Sequence, residues 1–399
     1  MQKVNSNSCL ICNSSDLYQI IDIKNFPLFF GAIPADKKEN VEKFPLKIAY
    51  CRKCGHVQQV NLIDEQTMNR VYDAEYYNCP SPVSTGMGVS EINKFISFFN
   101  KNNLRKGKLL EIACFDGFVL KKIQNDSWDV YGCDPSPMTA IAKNLIGKQK
   151  IKNEYFFKGL YGKESFDCII FRNLLEHIYD LHKFLRSVSY SLKNEGRIFI
   201  DVPNLKTYEP LGGFGMFFHQ HVSYFSIDSL RNLLLMHGYQ IEREYNGDPN
   251  LFIQAVKIGS VNKIQEFDYL KNEKRLNSFP EKQNILVSEI IKYFNNNNKT
   301  KIALFGASAL ATSLFSILNK KQRNKIVAIF DNDQDKNDKE LVGSNVPISS
   351  PSSFSPESFD SILITTYFFD KEIRKQLKAK DCPSEKIVSI NDFTKIYEY

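Results

Sequence analysis

Two Cys-x-x-Cys pairs near the start of the chain, Cys9/Cys12 and Cys51/Cys54, constrain its folding more than any other feature. Brought together, four thiolates form a tetrahedral set of soft donors that suits zinc. With sulfur at every position no site stays open for water, so the metal would staple a small domain and do no chemistry. Gly55, directly after Cys54, supplies the permissive backbone that such a knuckle needs. The insert between the pairs is longer than in a usual zinc ribbon. Free buried cysteines and a redox pair are the competing readings, although a redox role needs only one pair. The other five cysteines, Cys79, Cys114, Cys133, Cys168 and Cys382, are scattered singly, and an odd total of nine does not make a secreted disulfide framework.

A chain of 399 residues is long enough for two or three cores. Residues 1–75 read as the metal-stapled module, with Pro27 and Pro34 interrupting any long helix. Over residues 76–262 short apolar strands (109–113, 130–133, 168–171 and 197–202) alternate with amphipathic helices (117–123 and 180–192), which predicts a doubly wound parallel sheet. A polar Lys/Glu/Asn-rich helix then opens residues 263–399, where strands at 302–305, 326–330 and 361–365 repeat the α/β pattern. That charged helix favours two domains over one large sheet. The 52 basic and 45 acidic residues, net +7, are spread along the chain and predict mild attraction for an anionic ligand, with no nucleic-acid stripe. Neither a membrane span nor a signal-peptide core is visible, so the expected compartment is the cytoplasm.

The segment Leu109-Leu110-Glu111-Ile112-Ala113-Cys114-Phe115-Asp116-Gly117 runs from strand to helix through small residues and an Asp-Gly turn, where a Rossmann-like sheet brings backbone close to a ligand. It departs from the dinucleotide fingerprint, since Gly117 is its sole glycine. The next strand ends in Asp134, placed to accept hydrogen bonds from both ribose hydroxyls, and a third ends at Asn173, followed by Leu174-Leu175-Glu176-His177. Plain strand ends and caps are the alternative.

On these residues the chain resembles the S-adenosylmethionine-dependent methyltransferases, and more narrowly the sugar C-methyltransferases of deoxysugar pathways. The resemblance implies an α/β architecture: a Rossmann-like methyltransferase sheet, a small N-terminal zinc-binding module and a second C-terminal α/β domain. It implies that Glu111, Ala113, Asp116, Gly117, Asp134 and Asn173 line the S-adenosylmethionine pocket, Ala113 replacing a usual glycine. The segment Phe217-Phe218-His219-Gln220-His221-Val222-Ser223-Tyr224-Phe225-Ser226 is similar to the family's Glu-His and Tyr-Phe-Ser motif, with His221 at the position of the base, Tyr224 beside it, and Gln220 where glutamate is usual. A histidine whose ordinary pKa lies near 6.5 can take a proton at neutral pH and release it again. Without the resemblance, two histidines among aromatics read as packing and hydrogen-bonding groups. Tyr76, and after it Tyr77, resembles the tyrosine-bearing approach to the sugar pocket and would donate a hydrogen bond to an oxygen gaining charge; aromatic packing is the other reading. The Gly306 turn and the 343–348 segment resemble the family's C-terminal domain. There, helix-terminal N–H groups would hold a nucleotide's phosphates, or the domain would serve as a lid.

The implied reaction is methylation of the carbon beside a keto group in a nucleotide-linked deoxysugar, with S-adenosylmethionine as donor and zinc as a structural ion. O- or N-methylation of a sugar or other metabolite is the nearer alternative, and a non-catalytic zinc-ribbon binding protein the more distant one. The acceptor, the nucleotide base and the oligomeric state are not legible in the sequence.

Overall fold

The structure is a computed structural model describing residues 3–5, 8–37, 41–72, 81–85, 88–101, 106–124, 128–259, 269–296 and 298–394. Tyr76, Tyr77 and the expected boundaries at 75/76 and 262/263 lie outside the described residues.

The N-terminal module is an antiparallel sheet. Strands β1 (Leu17–Pro27), β2 (Lys43–Cys51) and β3 (Val57–Gln59) pair in that order, and the fourth strand, Ser223–Tyr224, comes from far along the chain. Its register is Ser223 opposite Gln58 and Tyr224 opposite Val57. All three residues of β3 are buried. Because side chains alternate along a strand, Gln58 and Gln59 face opposite ways.

The middle sheet has seven strands: β4 (Lys108–Ile112), β5 (Asp129–Cys133), β6 (Ile151–Lys152), β7 (Phe166–Arg172), β8 (Leu192–Pro203), β9 (Tyr239–Asn246) and β10 (Asn250–Lys257). They lie side by side as β9-β10-β8-β7-β4-β5-β6. The five parallel strands follow the doubly wound order, and β10 lies antiparallel between β8 and β9. The central strands are near-continuous apolar runs such as Phe166-Asp167-Cys168-Ile169-Ile170-Phe171, because helices cover both faces and each side chain meets a core. Strand order reverses between β4 and β7, and at such a switch point the loops at the carboxyl ends splay apart to leave a crevice.

The C-terminal unit forms a separate sheet of five strands: β11 (Ile302–Phe305), β12 (Ile326–Phe330), β13 (Ile348–Ser349), β14 (Ser361–Ile364) and β15 (Ile387–Ser389). Its order, β13-β12-β11-β14-β15, is all parallel and repeats the arrangement of the parallel part of the middle sheet. The helix Tyr269–Asn295, which carries Pro280, precedes it. The N-terminal module also touches this unit: Ala32–Ile33 pairs with Glu340–Leu341, and the Gly31 N–H donates to Thr312 Oγ1 at 3.2 Å. No helix among the described residues is long and apolar enough to cross a membrane.

Candidate active site and metal centre

The two cysteine knuckles are the same turn built twice. In each, the N–H after the second cysteine returns to the carbonyl of the first, Asn13 to Cys9 and Gly55 to Cys51, and that residue takes a left-handed φ of 55° and 72° respectively. Gln58, on β3, straps the first knuckle by accepting from the Leu10 N–H at 2.7 Å and donating to the Ser8 carbonyl at 3.1 Å. The four Sγ atoms lie within 4.8 Å of one another, with Cys9–Cys54 and Cys12–Cys51 each at 3.5 Å. A zinc ion with Zn–S bonds of about 2.3 Å in tetrahedral geometry sets sulfurs roughly 3.8 Å apart. The donor set and its spacing therefore fit zinc.

The cofactor-loop residues come together at the carboxyl ends of β4, β5 and β7, beside the switch point. Ala113, Phe115 and Gly117 all hold left-handed φ values, 61°, 49° and 79°. The loop thus keeps the fold of a glycine-rich turn although two of the three positions carry side chains. For an L-residue that conformation costs roughly 1–2 kcal/mol, part of which a glycine returns as chain entropy. Ala113→Gly is expected to raise stability by about 0.5 kcal/mol, read as a small increase in Tm.

Two carboxylates expected to face ligand are engaged by the protein itself. Asp116 accepts from Ser81 Oγ at 2.7 Å, the Val83 N–H at 2.9 Å and the Phe118 N–H at 3.0 Å, so it ties the start of the Pro82–Thr85 helix to the loop. Asp134 accepts from the Phe115 N–H at 3.0 Å and the Ser136 N–H at 2.8 Å, which pins the β4 and β5 loops together and leaves each oxygen one lone pair. Glu111 differs: it is 3% exposed, and its Oε2 meets no hydrogen-bond partner among the described residues. Burial pushes its carboxyl up to about 8, against the pull of Arg172. An orphaned buried acceptor at the mouth of the crevice suits hydroxyl donors of a ligand. Asn173, with φ 45°, is exposed at the end of β7, its N–H held by the Asp201 carbonyl at 2.8 Å.

His221 sits against this sheet on a segment carried by the N-terminal module. Gln59 Nε2 donates to the carbonyls of Phe218 and His219 at 3.0 Å and to that of His221. The His221 ring lies 4.2 Å from Phe218 and meets His177 edge-on at 4.8 Å between centroids. Its Nδ1 has no partner among the described residues. Burial, and then the neighbouring His177, hold His221 well below the usual histidine range, so it is neutral at physiological pH. Tyr224 is placed differently from the expectation: it is 1% exposed, and its hydroxyl donates to the Phe218 carbonyl at 3.2 Å and accepts the Phe218 N–H at 3.3 Å. It fastens the segment from within. His219 turns toward the module, its Nε2 3.3 Å from the Phe26 carbonyl and its ring against Phe26 and Phe44. Gln220 is buried, and its Oε1 has no partner among the described residues.

Glu176 and His177 were legible as polar residues at a strand end, yet sequence reasoning gave them no role; the structure sets both beside His221. Gln59 carried no signal at all, because its partners are backbone carbonyls some 160 residues away.

In the C-terminal unit the Gly306 turn, φ 108°, closes on Asp331, which accepts the Ala307 N–H at 2.7 Å, and on Thr365, whose hydroxyl donates to the Gly306 carbonyl at 2.6 Å.

Family comparison matches residues 9–69 to a zinc binding domain, 89–244 to a methyltransferase domain and 298–388 to the family described as C2185-like, N-terminal. The C-methyltransferase NovU of Streptomyces niveus is 25% identical over 251 residues, 61% of this chain and 58% of that protein. The ubiquinone biosynthesis O-methyltransferase of Pelagibacter ubique (strain HTCC1062) is 32% identical over 111 residues, 26% of this chain and 46% of that protein. The chain thus spans about half the length of these curated relatives. The crystal structure of Burkholderia thailandensis 1,6-didemethyltoxoflavin-N1-methyltransferase is similar at 15% identity and a TM-score of 0.40, covering 54% of this chain and 96% of that one. A zinc-binding domain at residues 9–69 followed by a methyltransferase domain at residues 89–244 thus makes up the first two units of this chain.

Proposed function

We propose that the protein is an S-adenosylmethionine-dependent C-methyltransferase acting on the carbon beside a keto group of a nucleotide-linked deoxysugar. The observation that carries this reading is His221: neutral, with an Nδ1 that has no partner among the described residues, and held by Gln59 through its backbone. S-adenosylmethionine, when bound, supplies an electrophilic methyl group. Glu111, the 113–117 loop and Asn173 would hold it, with Glu111 accepting from its hydroxyl groups. His221 takes the proton from the carbon beside the carbonyl, and the resulting enolate carbon is the nucleophile. Tyr76 or Tyr77 would donate to the enolate oxygen. Tyr224 and Asp116 hold the scaffold and touch no substrate. The zinc of Cys9, Cys12, Cys51 and Cys54 is structural.

The sugar's nucleotide occupies the cleft toward the C-terminal unit, its phosphates near the Gly306 turn. We divide the chain at 1–75, 76–262 and 263–399, a division supported by one family match in each part. The reaction belongs in the cytoplasm, where nucleotide-linked sugars are made.

Mass spectrometry of nucleotide-linked keto-deoxysugars incubated with the protein and S-adenosylmethionine tests the reading. A gain of one methyl is expected, slowed by about 10²–10⁴-fold in His221→Ala. A gain that survives the substitution sinks the base assignment; no gain over a broad panel, with cofactor still bound, sinks the acceptor class. The likeness to an O-methyltransferase favours oxygen as the second acceptor. Exchange of the hydrogen beside the carbonyl with solvent separates the two, since only the enolate route makes that hydrogen labile.

A further inference from the structure

The turn Leu175–His177 and the segment that carries His221 are laced together twice. The Val222 N–H donates to the Glu176 carbonyl at 2.8 Å, and His177 Nδ1 lies 2.8 Å from the Gln220 carbonyl. Between the two strands of this lacing lie three titratable side chains, Glu176, His177 and His221, each offering an atom within 4.8 Å of the others. Glu176 is the buried member, 2% exposed. Neither of its carboxyl oxygens has a hydrogen-bond partner among the described residues, and His177 Nε2 lies 3.9 Å from Oε1. A buried carboxyl group without a donor calls for a reason.

We propose that Glu176 is a positioning residue that works through His221, its carboxylate being the counter-charge that makes this histidine a competent base. The proposal rests on the reading of His221 as the proton acceptor.

A base works best when its pKa lies near the working pH, and His221 alone is held far too low by burial and by His177, which burial itself brings down to about 4. An anionic carboxylate within about 4–6 Å raises a histidine by favouring its charged form. The other groups facing Glu176 do not do this. Asp201, at the end of β8, adds to the negative field but is itself engaged by Arg172 of β7 at 2.8 Å and by Asn250 of β10 at 2.7 Å. Tyr208, from the turn Leu205–Tyr208, and Tyr224, from the strand that packs on the turn Leu175–His177, are both kept protonated by burial. Burial, aided by Asp201, pushes Glu176 itself up to about 8.

The proton count then fixes the active form. Below about pH 8 Glu176 keeps its proton, and a protonated His221 would stand beside a neutral acid. Above it, Glu176 has released its proton to solvent. The C–H proton of the substrate passes to His221, the C–H electron pair becomes the enolate double bond, the carbonyl π pair moves onto oxygen, and the imidazolium–carboxylate pair is neutral as a whole. After methyl transfer the imidazolium returns its proton to water. Activity therefore rises with pH as Glu176 ionises.

The test follows the His221 imidazole by NMR in zinc-loaded protein labelled at histidine carbon, its resonance identified by its loss in His221→Gln, alongside kcat against pH. No substrate is needed for the first readout. The His221 resonance is expected to shift as Glu176 ionises near pH 8 in the wild type and to show no such step in Glu176→Gln. The wild-type kcat should rise about tenfold per pH unit toward a plateau above about pH 8. In Glu176→Gln, kcat should fall about 10²-fold and lose that rise, with the KM for S-adenosylmethionine within about twofold; Glu176→Asp should restore part of the rise. An unchanged His221 titration and an unchanged profile in Glu176→Gln overturn the proposal. So does a stoichiometric divalent cation, distinct from the zinc, that leaves with Glu176→Gln and is required for activity, since the three groups would then be its ligands. A wild type that shows the linked titration but methylates no keto sugar supports the pairing and overturns the functional reading alone.

Discussion

Cys51→Ser is expected to empty the metal site, unfold the N-terminal module and take methyl transfer with it. Cys51 closes β2, it is fully buried, and its Sγ lies 3.5 Å from that of Cys12. Serine is a poor zinc ligand and leaves a polar hydroxyl in a core. Structural zinc contributes of order 10 kcal/mol to folding in small domains, against a total stability of roughly 5–15 kcal/mol for a typical protein, so loss of one ligand exceeds what the small module can absorb. The effect reaches the active site through β3. Gln58 grips the first knuckle while Gln59, facing the other way, grips the backbone from Phe218 to His221. Zinc content by elemental analysis should fall from about one per chain to near zero, proteolysis should open residues before about 70, and activity should drop at least about 10²-fold. A metal-free variant with wild-type activity would show that the knuckles and the His221 segment fold independently.

Gly117→Val is expected to weaken S-adenosylhomocysteine binding about 100-fold, equivalent to some 2.7 kcal/mol. The backbone here has φ 79°, and a Cβ would lie 3.0 Å from both the Cα and the Cβ of Ala142 on the neighbouring helix. A β-branched residue meets both the left-handed penalty of about 1–2 kcal/mol and an overpacking cost of about 1–3 kcal/mol, and relief of either moves the loop away from the ligand. Isothermal titration measures the change, and Gly117→Ala should fall between the two. Binding unchanged in the valine variant would mean that the ligand does not contact this turn.

The parallel strands were legible because a strand buried on both faces is a short, unbroken apolar run: 302–305 and 326–330 match the structure, and 168–171 lies within β7. The hairpin of β9 and β10 was not read, since β9 lies at the sheet edge with mostly exposed polar residues. Ser223–Tyr224 has no periodicity of its own, and a two-residue strand exists only through its partner. In the loop after β4, one glycine understated the turn, because Ala113 and Phe115 take left-handed φ values without being glycine. Asp116 and Asp134 could be assigned to their loops from the sequence, but which donors a carboxylate meets is decided by elements remote in sequence, such as Ser81. Glu176 shows the same limit from the other side: its surroundings, and hence its proton, are set by Asp201 and by the segment around residue 221.

The cross-chain strand also sets a timetable for synthesis. All four cysteines, the last of them Cys54, are made well before Ser223 and Tyr224, so metal can be captured early. The sheet they support stays open along β3 until residues 223 and 224 have been made and delivered. For that interval the nascent module presents an unpaired edge, and its closure is tied to the completion of the domain it serves.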